Sequence, residues 1–168
     1  MGDSFVFWTH LVAATVWVGP QIFMFAVVVP ALHAIGDRAA RYRALVVLTQ
    51  RFNILAWAAM GLLVGTGVHN VIHEQDEHGQ VFDYDFRYAW LLVAKLALVA
   101  LAILLTIYHS YVIGPRLMAH QEAGEEGPHV DALRRQSILL SMVNLLAALA
   151  ILLLVALLQN NEFSLHGV

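Results

Sequence analysis

Four stretches of the chain, about residues 5–32, 45–72, 88–113 and 137–158, are each apolar over a length that only a bilayer asks for. A helix crosses ~30 Å of hydrocarbon in ~20 residues, and all four stretches reach that length. Lipid offers backbone N–H and C=O groups no partners, so each run must satisfy its own hydrogen bonds and is read as a helix. Composition agrees. With 60% hydrophobic and 12% charged residues and a mean hydropathy of +0.71, the chain carries more apolar surface than one water-soluble core of 168 residues would hide. The expected architecture is all-α: an integral membrane, antiparallel four-helix bundle forming one transmembrane domain over residues 1–168, with the lipid bilayer as its first partner.

The N-terminus reads Met1-Gly2-Asp3-Ser4, without the basic segment that precedes the short apolar core of a cleavable signal. The first run is therefore expected to remain as a helix. Antiparallel threading puts segments 34–44 and 114–136 on one side and segment 73–87 with both termini on the other. Arg38, Arg41, Arg43, Arg51, Arg116, Arg134 and Arg135 fall on the first side, whereas Glu74, Asp76, Glu77, Asp83 and Asp85 crowd the second. The positive-inside rule makes the first side cytoplasmic and turns both termini outward. A formal charge of −3, with no basic cluster among aromatics, excludes nucleic acid as a partner. No internal repeat or domain linker is apparent, and His120–Pro128 reads as a surface loop.

Function must then lie in the polar side chains that the helices carry into the membrane, because such groups are costly there and face the bundle interior or a cavity. There are nine histidines and no cysteine, which rules out disulfides, thiolate metal sites and covalently attached haem. His10, Trp17 and Met24 recur every seven residues in the first run, with Gln21 beside them; Asn53, Trp57, Gly61, Gly65 and His69 recur every four in the second. Lys95, Thr106 and His109 mark the third run, and Ser137, Ser141 and Asn144 the fourth. At 1.5 Å per residue, His10 and His69 lie roughly 8 Å and 5 Å below the outer ends of their helices, in one layer that Lys95 can join. His73 is one turn further out than His69. His33 and His109 form a second, inner pair.

Two imidazoles facing each other at matched depth, with small residues such as Gly65 making room, are what a low-spin haem b requires. The same histidines, softened by thioethers such as Met24, Met60 or Met118, would equally hold copper. In the plainest reading they only hydrogen-bond between helices. Arg51 snorkels at the inner interface or binds an anionic headgroup or propionate. His78, His120, His129 and His166 are read as solvated, and the acidic segment His73–Asp85 as a loop.

The stretches His10-Leu-Val-Ala-Ala-Thr-Val-Trp17-Val-Gly19, Val29-Pro30-Ala31-Leu32, Arg51-Phe52 to Gly65-Thr66-Gly67, Trp90-Leu-Leu-Val-Ala-Lys95 and Leu133-Arg134-Arg135, in this order, resemble the four-helix core of the copper resistance D (CopD) family. That resemblance implies copper handling at a bacterial inner membrane. The chain also resembles in part the HemJ-type membrane protoporphyrinogen oxidases, which bind haem b. It shares the histidine followed by Trp and Gly in helix 1 and the lysine followed by Tyr108-His109 in helix 3, but Asn144 is not followed by the Glu and Pro of their fourth helix.

The reading carried forward is a multi-pass protein of the cytoplasmic membrane of a bacterium or archaeon. It binds haem b through His10 and His69, with Lys95, Trp17, Gly65 and Arg51 around the ring, and exchanges electrons with a quinone or a redox protein. Copper import or delivery through His10, His69, His109, His73, His33 and Met24 is the alternative, and a cofactor-free assembly subunit the third. A stand-alone enzyme is the least supported class. Glycine-bearing helix faces point to a homodimer or a place in a larger complex.

Overall fold

The computed structural model describes residues 2–78 and 87–159, leaving aside the side chains of residues 38, 74 and 76–78. Much of the acidic segment up to Asp85, the His78 side chain and His166 thus lie outside the described residues. Among the described residues four helices are long and apolar enough to cross a membrane: α1 (Gly2–Ala34), α2 (Arg38–His78), α3 (Arg87–Glu122) and α4 (Pro128–Leu158). All four overrun the apolar stretches, because hydropathy marks only the part in hydrocarbon while helical hydrogen bonding continues through the polar flanks. The 114–136 connection shrinks most. His120 belongs to α3, where its Nδ1 lies 2.6 Å from Glu125 Oε2. Gly124 and Gly127, both at positive φ (68° and 138°), make the short turn into α4 that residues with a Cβ resist. Between α1 and α2, Arg41 donates two hydrogen bonds to the Ile35 carbonyl, and Asp37 Oδ1 accepts from the Ala39 N–H at 2.9 Å as a helix cap.

Each odd helix contains one widened turn, over Met24–Val28 in α1 and His109–Ile113 in α3. A proline follows each, Pro30 and Pro115. Proline lacks an N–H and its ring collides with the carbonyl four residues back, so an extra residue in the turn relieves the clash without breaking the helix.

The two hairpins share several spacings. Gly2, His10, Trp17, Val28 and Pro30 of α1 have the same spacing as Arg87, Lys95, Ala102, Ile113 and Pro115 of α3, and Trp17, Ala102, Val28 and Ile113 are all buried. Asn53, Ala56 and Met60 of α2 recur as Asn144, Ala147 and Ile151 of α4, where the last two of each set are buried. α1 packs along α2 and α3 along α4; α1 meets α4 across the bundle, and α2 meets the Gly114–Glu122 end of α3. The bonds between hairpins follow the same pattern, with Ser110 Oγ donating to Asn53 Oδ1 (3.1 Å) and Asn144 Nδ2 donating to Gln21 Oε1 (3.2 Å). The two hairpins thus share spacing and burial, and hardly residue identity.

The centre is built from alanine. Ala56, Ala59, Ala102 and Ala148 are 5, 2, 1 and 0% exposed and pack with Trp17, Val18, Met60 and Ile151. Lipid is as apolar as a leucine side chain, so helices in a membrane associate through close van der Waals contact, which small side chains permit.

Candidate functional site

His10 sits about two turns inside α1, roughly 12 Å from Gly2, and is half-buried. Its Nδ1 lies 2.7 Å from Thr66 Oγ1 on α2. The Thr66 hydroxyl gives its proton to the Leu62 carbonyl at 2.5 Å, so its oxygen accepts and His10 Nδ1 carries the hydrogen. That leaves the Nε2 lone pair uncommitted, and no described residue hydrogen-bonds to it. An imidazole whose second nitrogen is tied in this way is oriented as metal-binding histidines are. Gly67 makes the approach possible, because a Cβ built there would stand 3.4 Å from His10 Cε1.

Lys95 occupies the corresponding position in α3 and is half-buried. The residue of α2 that meets His10 is Thr66, not His69. His69 is exposed, and its ring centroid is 6.2 Å from that of His73 one turn further along α2. His10 rests directly against α2 through Thr66 and Gly67, and this arrangement gives no support to haem b held between His10 and His69. Gly65 and Gly61 are exposed with nothing within 4 Å of a Cβ, so they open neither a cofactor cleft nor a packed interface within the bundle.

Trp17 is 7% exposed and lies in the alanine core, where its carbonyl accepts from Gln21 Nε2 at 3.0 Å. Below it, Asn144 Oδ1 is a buried acceptor with no hydrogen bond. Met60 is 6% exposed in the same core, and Met24 is half-buried at the start of the α1 widened turn. His109 begins the matching turn of α3, and its Nε2 lies 2.9 Å from Ser137 Oγ and 3.3 Å from Ser141 Oγ. His33 is exposed, and its Nδ1–H donates to the Val29 carbonyl at 2.7 Å. Arg51 is exposed on α2, as a snorkelling residue would be. Among the described residues no three histidines or carboxylates gather into a ready metal cage. The partners that sequence reasoning missed are Thr66 and Gly67. Their only signal was a small, hydroxyl-bearing interruption of the second run at the depth of His10.

A bundle of four helices long and apolar enough to cross a membrane defines a multi-pass membrane protein. The chain matches the family Copper resistance protein D (CopD) over residues 46–158, about two thirds of its length, and belongs to that family. The matched region runs from α2 into α4, so His10 lies on the helix outside it. No curated protein and no solved structure matches the chain. The likeness to the protoporphyrinogen oxidases finds no further support.

Proposed function

We propose that this protein binds copper(I) in the membrane and passes it along the bundle, with His10 Nε2 as the receiving ligand. The observation that carries the reading is the His10–Thr66–Leu62 chain of hydrogen bonds, which fixes the imidazole and presents one lone pair. Copper(I) favours imidazole and thioether over hard oxygen ligands. From His10 the donors descend through Met60, roughly 9 Å deeper, to Met24, roughly 21 Å deeper, by helical rise. His109, at the position in α3 that corresponds to Met24, closes the series. The positive-inside rule would place the His10 end outside and make transfer inward.

Two outcomes test this reading. Thr66→Val keeps the shape of Thr66 but removes the acceptor of the Nδ1 hydrogen; copper(I) affinity, read by competition with a chromophoric chelator, is expected to fall about 10- to 100-fold, the usual effect of losing a group that orients a ligand. Unchanged affinity would mean that Thr66 merely packs. In proteoliposomes, Met60→Leu and Met24→Leu are expected to slow copper(I) entry several-fold while leaving binding at His10 in place, since leucine has similar volume and no sulfur. Uptake equal to wild type in both variants would remove the thioethers from the path.

A further inference from the structure

α3 ends in a Schellman turn that carries two polar side chains where an apolar contact is usual. Gly124, at φ 68°, donates its N–H to the Gln121 carbonyl at 3.2 Å, and the Glu125 N–H donates to the His120 carbonyl at 3.0 Å. This turn sets the Glu125 side chain beside that of His120, whose Nδ1 lies 2.6 Å from Glu125 Oε2. An ionised carboxylate only accepts, so Nδ1 carries the hydrogen and the lone pair of the neutral ring is on Nε2. Among the described residues no hydrogen bond engages that Nε2 or either nitrogen of His129. His129, in the first turn of α4, meets His120 with ring centroids 5.5 Å apart and planes at 83°. Two imidazoles that share one ion at ~2.0 Å each have centroids about 6 Å apart or less, so this pair is within reach of a common ion. The carboxylate behind His120 orients the ring as the acceptor behind a metal-bound histidine does. Solvent reaches the pair, since His120 is 30% and Glu125 57% exposed. A shallow cavity of about 540 Å³ on the same turn is lined by Glu125, Glu126, Asp131 and Arg134, the last two paired at 3.2 Å, and its excess of carboxylates attracts cations.

We propose that His120 Nε2 and a ring nitrogen of His129 bind copper(I) at the end of the bundle remote from His10, as the site from which the ion leaves the helices. The inference rests on the copper reading above and adds to it a second, exposed site with Glu125 as its positioning residue. His120 stands roughly 16 Å beyond His109 by helical rise. Imidazole suits copper, and copper(I) is held by as few as two nitrogens, so a pair serves although no three described histidines or carboxylates form a cage. Two exposed donors hold the ion loosely. It exchanges with solution and does not survive gel filtration, as a transfer site requires.

The test is an equilibrium titration of the full chain in detergent with copper(I), buffered by a chromophoric chelator under reducing conditions. Wild type is compared with His120→Gln, His129→Gln, Glu125→Ala, Glu125→Gln and His10→Ala. Wild type is expected to bind one tight equivalent and a second at least about 10-fold weaker, because the second pair is less preorganised. His120→Gln and His129→Gln each remove the second equivalent and leave the first within about two-fold, as distant sites do. Glu125→Ala weakens the second equivalent about 10-fold, the scale of losing a group that orients a ligand, and Glu125→Gln, whose amide oxygen still accepts the Nδ1 hydrogen, restores most of it. Saturation of wild type at one equivalent, or a second equivalent that survives both histidine variants, overturns the proposed site; if His10→Ala still loses the first equivalent, the copper reading stands. A first equivalent that His10→Ala does not weaken overturns the copper reading and with it the transfer role of the pair.

Discussion

His10→Ala is expected to lower copper(I) affinity by at least about 100-fold, beyond the range typical of losing an outer-shell partner, because it deletes an imidazole whose free nitrogen the His10–Thr66 bond holds in place. The physical ground is preorganisation. Thr66 fixes the tautomer, Gly67 lets the ring lie against α2, and binding need not order the side chain. His69→Ala, by contrast, is expected to leave the affinity within about three-fold of wild type, since His69 is exposed and bears on His73. Chelator competition on both variants decides the matter, and equal losses would return His69 to the site. Thermal unfolding of His10→Ala should stay close to wild type, because interhelical hydrogen bonds in membranes are worth about 0.6 kcal/mol on average.

The second large effect is on assembly of the bundle. Ala148 is 0% exposed where α4 meets Trp17, Ala56, Ala59 and Ala102, so it has no room for further atoms. Ala148→Leu inserts three carbons into that contact and is expected to cost about 1–3 kcal/mol, with the helices forced apart or the rotamers strained. A lowered midpoint in detergent-induced or thermal unfolding would register it. Ala58→Leu, on the exposed side of α2, serves as the control and should change little. An unaffected Ala148→Leu midpoint would mean that the alanine contact does not hold the hairpins together.

Much of this was legible in the sequence, and the failures have identifiable physical causes. Long apolar runs fix the number of helices because the bilayer leaves a segment no alternative. They do not fix helix ends, since Arg87 and Glu122 are polar and still helical. Helical rise orders residues by depth, but depth cannot say which neighbour a ring turns toward, and Thr66 rather than His69 took the bond of His10. Gly61 and Gly65 signalled a face where something can come close without saying that the face is exposed. The alanines that make the core gave no contrast within their apolar surroundings. Met24 and His109 were noticed singly, and their equivalence emerged only when each proved to open a widened turn before a proline.

The central claim is that His10 receives copper(I) in this bundle. The direct measurement is the metal content and the dithionite-reduced absorption spectrum of the full chain purified in detergent, loaded with copper(I) and passed through gel filtration beside His10→Ala. The account predicts retention of about one copper per chain in wild type, as a single ligand set of this kind would hold, and its loss in the variant. Copper retained equally by His10→Ala, or a sharp reduced haem band that disappears with His10, would contradict it.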